Sequence, residues 1–450
     1  MRSEAATAIP SREAGQVDYR GVIGSLLFIA MFLFIAISLN PFYDLTLPSS
    51  ASIATDNSSK LNQLLFIGLP FGAFCCGLAT SMRNTFLQPR ALLVTLFLWL
   101  VFVSLVSTHT MNSLKALFVT SLVILGANAC LLLPRSESHF AKLLAVGTLA
   151  SIGLCYYGIK FLPFYSIHSA AEVAEPMHAG LWRGYFPHKN NAAAAMVLFA
   201  FCGIFIMRTW SRVVGLIIFA SATWFLMHTG GKTASAMLPA ILLVAWVFEK
   251  VPFLRMPMSF LGVAAFNLLA VGSALIPSLA EFVTSLGVDA TFTNRSDIWK
   301  LAGGAIAEFP MTGFGLKSFW RTTEMLYSGQ GLETWAVLAS HAHNSYVEIL
   351  LIGGIPALVL SLIWFFAVPL RSFAKITREG RKLTHTGRLF LRIWLYMIFT
   401  TCLESLFFES SAGYIIGWFL FCMALFGIRY EANAAHLDEP ASPTNGAARA

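Results

Sequence analysis

The sequence predicts an all-α protein embedded in a membrane, on three observations. Of its 450 residues, 57% are hydrophobic and only 12% charged, with a mean hydropathy of +0.71, whereas a soluble domain is about half apolar and a quarter charged. Apolar runs near the roughly 20 residues that a span needs recur along most of the chain. The alternating pattern of barrel strands is absent, so backbone polar groups in lipid must be satisfied inside helices.

Taken in order, candidate spans fall near 21–39, 62–82, 91–108, 114–133, 143–164, 191–207, 213–228, 234–249, 259–281, 345–369, 389–407 and 412–428, about twelve in all. The runs at 213–228 and 234–249 are short and read as tilted or broken. The first run is too long for a cleaved signal core and reads as a retained span. Five regions follow: an N-tail 1–20, nine spans with short loops over 21–281, a large segment 282–344 carrying short amphipathic helices, three spans over 345–428, and a small, polar tail 429–450 expected to be disordered. The seven cysteines all lie in apolar runs without metal spacing and read as core residues.

Orientation follows from Lys and Arg. With the N-terminus in the cytoplasm, the inner segments hold 20 of the 30 basic residues, the densest being Arg371 to Arg392. Both termini are then inside. The net charge of +8 flanks apolar segments, as topology demands, and does not point to nucleic acid. The outer side receives His109, His168, His178, His188, His228, His341 and His343, together with Arg183, Lys189, Lys232, Arg295 and the segment 282–344.

Four stretches of this outer side carry candidate chemistry. In "LWRGYFPHKNN", Arg183, His188, Lys189 and Asn190 precede a span. Two readings stand: a basic interfacial collar with Asn190 or Asn191 as helix cap, or an anion site at a helix N-terminus. In "HTGGKTAS", Lys232 follows Gly230 and Gly231. This is either a tight turn with a solvated lysine or a glycine-rich turn offering N–H groups and an ammonium to phosphate.

"NRSDIWKLAGGAIAEFPMTGFG" reads as a helix begun by a cap at Asn294 with Asp297, with Ile298, Leu301, Ala302 and Ile306 on one face and Pro310 after its end. It is too short to span and is expected against the membrane surface. Arg295, in its first turn, is either paired with Asp297 or another neighbour or suited to bidentate phosphate contact. In "SHAHNSYVEILL", His341, His343 and Asn344 open a late span. A metal pair lacks a suitably spaced third ligand, so no metal is expected. Solvated histidines are one reading. The other is a general base, with Asn344 capping the helix or orienting the ring and Glu348 fixing a tautomer or holding a cation. No DxD pair, Walker loop or GxSxG is present, so an enzyme here uses neither ATP nor the usual metal–nucleotide grip.

The stretches "WRGYFPHKN", "NRSDIWKLAGGAIAEFPMTGFGLKSFW" and "HAHNSYVEILLIGGIPAL" together resemble the O-antigen ligase and polysaccharide polymerase superfamily of bacterial envelopes. Exopolysaccharide polymerases of the rhizobial type and their ligase-like relatives are similar in character. Arg295, Trp299, Pro310, Gly313 and Gly315 match one motif, and His343 with Asn344 another. The resemblance implies a multi-pass protein of the bacterial inner membrane with its active face in the periplasm. It implies a metal-independent, inverting transfer without cofactor, from a glycan on undecaprenyl diphosphate to lipid A-core in ligases or to another repeat unit in polymerases. His343 would activate the acceptor hydroxyl, and arginines would hold the diphosphate. Arg295 matches one of these arginines. Lys232 stands where the other is expected, keeping the charge but losing the planar fork. Arg183, His188, Lys189, Asn190, His341 and Asn344 complete the expected substrate-binding set. A transporter or flippase of lipid-linked glycans is the rival reading. It requires charges along a path through the bilayer, whereas the spans carry few besides Glu348 and Glu404.

Overall fold

The computed structural model describes residues 19–39, 41–47, 60–79, 90–173, 175–292, 295–322, 335–410 and 415–433. The expected cap at Asn294 and most of both tails lie outside them. Among the described residues the secondary structure is helical, with one isolated antiparallel bridge between Ile167 and Trp182.

The elements in order are α1 (Tyr19–Ile37), α2 (Lys60–Leu78), α3 (Ala91–Val106), α4 (Thr110–Cys130) and α5 (Glu137–Phe161). A long connection leads to α6 (Lys189–Thr209), α7 (Arg212–His228) and α8 (Lys232–Lys250). Then come α9 (Gly262–Leu275), α10 (Pro277–Ser285), α11 (Arg295–Glu308), α12 (Ser345–Leu362), α13 (Val368–Arg378), α14 (His385–Thr400) and α15 (Ile415–Asn433). Eight helical segments are long and apolar enough to cross a membrane, and three shorter apolar helices accompany them. The molecule is thus a polytopic all-α membrane protein, and among the described residues eight helical segments, not twelve, meet the length and apolarity of a span.

Four expectations need correction. The runs 213–228 and 234–249 are each covered by one unbroken helix, α7 and α8, the second with Pro239 inside it. The run 259–281 is not one span: α9 ends at Leu275, Ile276 is extended, and Pro277 opens α10. The run 389–407 is helical only to Thr400, and a buried loop follows it to 410. α15 continues to Asn433, into the stretch expected as tail.

α6 is the central pillar, buried almost continuously from Asn191 to Cys202. Its alanines and Gly203 have little side chain, which lets neighbours approach closely. A Cβ on Gly203 would sit 2.8 Å from Phe219 N, and one on Gly215 2.3 Å from Met207 N, so α6 and α7 pack backbone against backbone. Leu64, Phe71, Leu98, Val213 and Leu243 instead face outward, each more than half exposed. A surface of that kind is what lipid covers.

The motif residues Pro310, Gly313 and Gly315 have a structural use. α12 is broken at Gly353 and Gly354, whose backbones are not helical. Such a break frees polar groups that must be paired again. The "TGFG" turn enters and pairs them: Phe314 N donates to Leu351 O (2.7 Å), Gly315 N to Ile352 O (2.9 Å), and Ile355 N to Pro310 O (2.9 Å). Trp99 Nε1 takes Gly353 O at 2.8 Å. Leu351 and Ile352 lie about 10 Å along α12 from its start, at 1.5 Å per residue. The segment 282–344 is therefore not wholly outside the helix bundle, because its "TGFG" turn inserts into it.

Gly354 has φ +65° and ψ −165°, a region essentially reserved for glycine, and a Cβ there would lie 2.2 Å from Met311 O. In an ordinary helix interior, Gly→Ala stabilises by roughly 1 kcal/mol. Gly354→Ala is expected to do the opposite and destabilise by about 1–3 kcal/mol or more. Thermal unfolding of the detergent-solubilised variant checks the sign.

Candidate functional site

The expected site residues other than Arg183 lie at one end of the bundle, where α6, α8, α11 and α12 begin, beside the loop after α14. The centre of the cluster is Glu404, which lies in that loop rather than in a span. Arg295 Nη2 donates to Glu404 Oε1 at 2.9 Å, and Asn190 Nδ2 donates to the same oxygen at 3.2 Å. Glu404 Oε2 faces His343 Nδ1 at 3.6 Å, just beyond hydrogen-bond length. Burial pushes the Glu404 carboxyl up, but Arg295 and His343 outweigh it and hold the group well below the usual carboxylate range.

Arg295 sits at the first position of α11, where the helix dipole disfavours a cation. It is held there by Glu404 and by a hydrogen bond from Nη1 to Leu403 O. The paired reading of Arg295 is the one seen, but its partner is not Asp297, whose carboxylate lies 3.9 Å from Lys300. One turn on, Trp299 is buried and Nε1 donates to Ala342 O at 2.9 Å. Positions four apart share a helix face. α11 therefore braces two loops at once, one carrying Glu404 and one carrying His343.

His343 has φ +49°, an uncommon left-handed conformation for a side chain with a Cβ, worth about 1–3 kcal/mol of strain. Several contacts hold it there. Asn344 caps α12, its Oδ1 accepting from Tyr346 N (2.9 Å) and Val347 N (3.1 Å). Its Nδ2 donates to Asn267 Oδ1 and to Cys402 O, both at 2.7 Å. Asn344 is fully buried and its amide is spent on these four bonds, so of its two expected roles capping is the one seen. Glu348 accepts from Ala342 N at 2.7 Å and from Trp320 Nε1 at 3.1 Å. It holds the histidine loop by its backbone rather than setting a ring tautomer. His341 packs beside His343 with its ring tilted, centroids 4.1 Å apart, and its Nδ1 accepts from His343 N at 3.3 Å. Burial lowers both imidazoles below the ordinary histidine range, and the Glu404 charge partly offsets this.

On the other wall, α6 begins at Lys189 and its cap is His188 rather than Asn190 or Asn191. His188 Nδ1 accepts from Asn190 N at 3.1 Å. Lys189 is buried, with Nζ 3.4 Å from Asn190 Oδ1, and Arg295, Lys232 and Glu404 all act on its charge. Lys232 opens α8 and is exposed. The glycine turn before it is structural: Gly230 has φ +64°, and a Cβ on Gly231 would lie 2.7 Å from Ala193 Cβ on α6.

Arg183 does not share this arrangement. It is fully buried, with Nη1 on Phe186 O (3.0 Å) and Nη2 on Tyr43 O (2.6 Å). Both terminal nitrogens tie backbone together, so its expected hold on substrate gives way to a structural role.

Glu404 is the candidate site residue that sequence reasoning missed. It registered only as a charge inside a presumed span. An ionisable residue in an apolar run is a functional candidate by default, and that signal would have found it.

Residues 195–362 match the family model described as O-antigen ligase. That match covers somewhat more than a third of the chain and agrees with the resemblance to O-antigen ligases and polysaccharide polymerases, and the apolar helices fit a multi-pass membrane protein. No curated protein matches it significantly. Lys232, Arg295, His341, His343 and Asn344 lie within the matched residues, whereas Arg183, His188, Lys189, Asn190 and Glu404 lie outside them.

The pairing has a pH signature. The His343 pKa lies below its unfolded value, so the unfolded chain binds the extra proton and stability falls as pH drops below about 6.5. Glu404 raises the His343 pKa through its charge. In Glu404→Gln the His343 pKa should therefore drop further. Histidine NMR titration of wild type and variant checks this, and an unchanged or higher value in Glu404→Gln would separate the two residues.

Proposed function

We propose that this protein moves a glycan from undecaprenyl diphosphate to an acceptor hydroxyl, with His343 as general base. The observation that carries this reading is the order Arg295, Glu404, His343. An arginine fixes a carboxylate, and the carboxylate faces Nδ1 of an imidazole that burial keeps neutral near pH 7. With the proton on Nδ1, turned to Glu404, Nε2 is the lone-pair nitrogen that can accept a proton.

In this reading the acceptor hydroxyl gives its proton to Nε2 as its oxygen forms a bond to the anomeric carbon. The bond from that carbon to the diphosphate oxygen breaks on the opposite face, so configuration inverts. Glu404 stabilises the imidazolium that forms. Negative charge grows on the leaving diphosphate, where fixed cations are worth most. Lys189 and Lys232 meet that charge. Arg295 contributes as well, because a guanidinium has five donors and two are used by Leu403 and Glu404. The activated anomeric bond supplies the driving force, and no metal or nucleotide enters the step. The acceptor is lipid A-core for a ligase or a growing polysaccharide for a polymerase. In this reading the site faces the periplasm and both termini face the cytoplasm, the orientation that the distribution of Lys and Arg favours.

General-base assistance is worth about 10²–10⁴-fold. With purified protein and a lipid diphosphate-linked glycan, His343→Ala should lower turnover at least about a hundredfold while thermal unfolding stays cooperative. His341→Ala should be milder. Near-normal turnover in folded His343→Ala would remove the base assignment.

A further inference from the structure

The connection between α5 and α6 carries a group of side chains that the transfer reaction does not use. We propose that Glu175, His178 and His188 form a binding site for one divalent transition-metal ion of the zinc type, separate from the reacting atoms. The ligand atoms of these three residues lie within 4.8 Å of one another. Glu175 Oε2 is 2.6 Å from His188 Nε2 and 3.5 Å from His178 Nε2. Tetrahedral zinc with bonds of 2.0–2.2 Å sets its ligands about 3.3 Å apart, a spacing that the two Glu175 distances bracket.

The His188 ring is fixed for this role. Its Nδ1 is occupied by Asn190 N at 3.1 Å, which leaves Nε2 as the ligating nitrogen. That Nε2 is buried and has no hydrogen bond among the described residues, although a carboxylate oxygen lies 2.6 Å away. His178 ends a short 3₁₀ turn opened by Pro176, which fixes its distance from Glu175.

His168 packs against both rings, with centroids 5.8 and 5.3 Å away, but it is not a ligand. Its Nδ1 lies 2.7 Å from Glu172 Oε2, and its Nε2 accepts from Lys189 N at 3.2 Å. Two imidazoles and one carboxylate suit zinc and its first-row neighbours rather than calcium or magnesium, which want oxygen ligands. The Glu175, His178 and His188 side chains keep 44%, 23% and 20% exposure, so a fourth position is open to water. An ion here ties the connection to the first turn of α6, next to Asn190 and its bond to Glu404. The expectation of no metal site considered only His341 with His343. In this cluster His178 comes three residues after Glu175 and His188 ten after that, a spacing that no short motif singles out.

The test uses full-length protein with any affinity tag removed, stripped by chelator and dialysed against Zn²⁺ or Mg²⁺. We expect one bound Zn²⁺ per chain at micromolar concentration, a higher unfolding temperature with Zn²⁺ but not Mg²⁺, and an intense tetrahedral absorption band with Co²⁺. His178→Ala should weaken Zn²⁺ binding at least about a hundredfold and abolish the Zn²⁺-dependent rise in unfolding temperature. Should His178→Ala not fold, His178→Gln and Glu175→Gln replace it. Wild type that binds no Zn²⁺ at micromolar concentration overturns the proposal. A folded variant that binds Zn²⁺ as tightly as wild type overturns it too.

Discussion

A carboxylate taken out of bulk water must be met by cations and donors, and the arrangement around Glu404 answers that constraint. Desolvating an ion costs several kcal/mol even after relaxation, and only good geometry returns it. Glu404 obtains that geometry from Arg295 and Asn190 on one oxygen and faces His343 with the other. The three partners arrive from α11, from α6 and from the loop before α12. The carboxylate therefore fixes how these elements sit relative to one another at the end of the bundle where the candidate chemistry lies.

The rest of the architecture holds that junction still. Ser345 Oγ donates to Glu404 O (2.9 Å) and accepts from Leu406 N (2.8 Å), and Ser345 N donates to Thr401 O (2.8 Å). These bonds stitch the loop after α14 to the start of α12. Trp299 and Glu348 hold Ala342 from its two polar sides, one taking its carbonyl and the other its N–H. His343 can thus persist in a left-handed conformation that an isolated chain would leave. Below it, the "TGFG" turn seals the break at Gly353 and Gly354, so the helix that presents His343 stays anchored although it is discontinuous.

The spans were legible in the sequence because apolar runs of that length have one stable form in lipid. Their ends were less so. Thr400, Cys402 and Leu403 are as apolar in context as the helix before them, and nothing local shows that the chain leaves the helix there and returns buried. That error hid Glu404. The basic and histidine residues at the starts of α6, α8, α11 and α12 were legible as a group, since capping and charge patterns mark helix starts. Which of them serve the site was not legible. Arg183 and Lys189 look alike in sequence, yet one binds backbone carbonyls and the other faces the cluster. Only the partner decides, and Tyr43 and Glu404 are each more than a hundred residues away from the residue they hold. Pro310, Gly313 and Gly315 were readable as a motif, but their use in repairing a helix break depends on a contact with residues 351–355.

The central claim is that Arg295 and Glu404 act as one unit that positions His343. A double-mutant cycle tests it most directly: unfolding free energies of wild type, Arg295→Gln, Glu404→Gln and the double variant, all in the same detergent near pH 7. Each single change leaves a partly buried charge without its partner, so each should cost more than removing both together. The account expects a coupling of about 1–3 kcal/mol, within the range seen for contacting residues. Effects that add to within about 0.5 kcal/mol would contradict it.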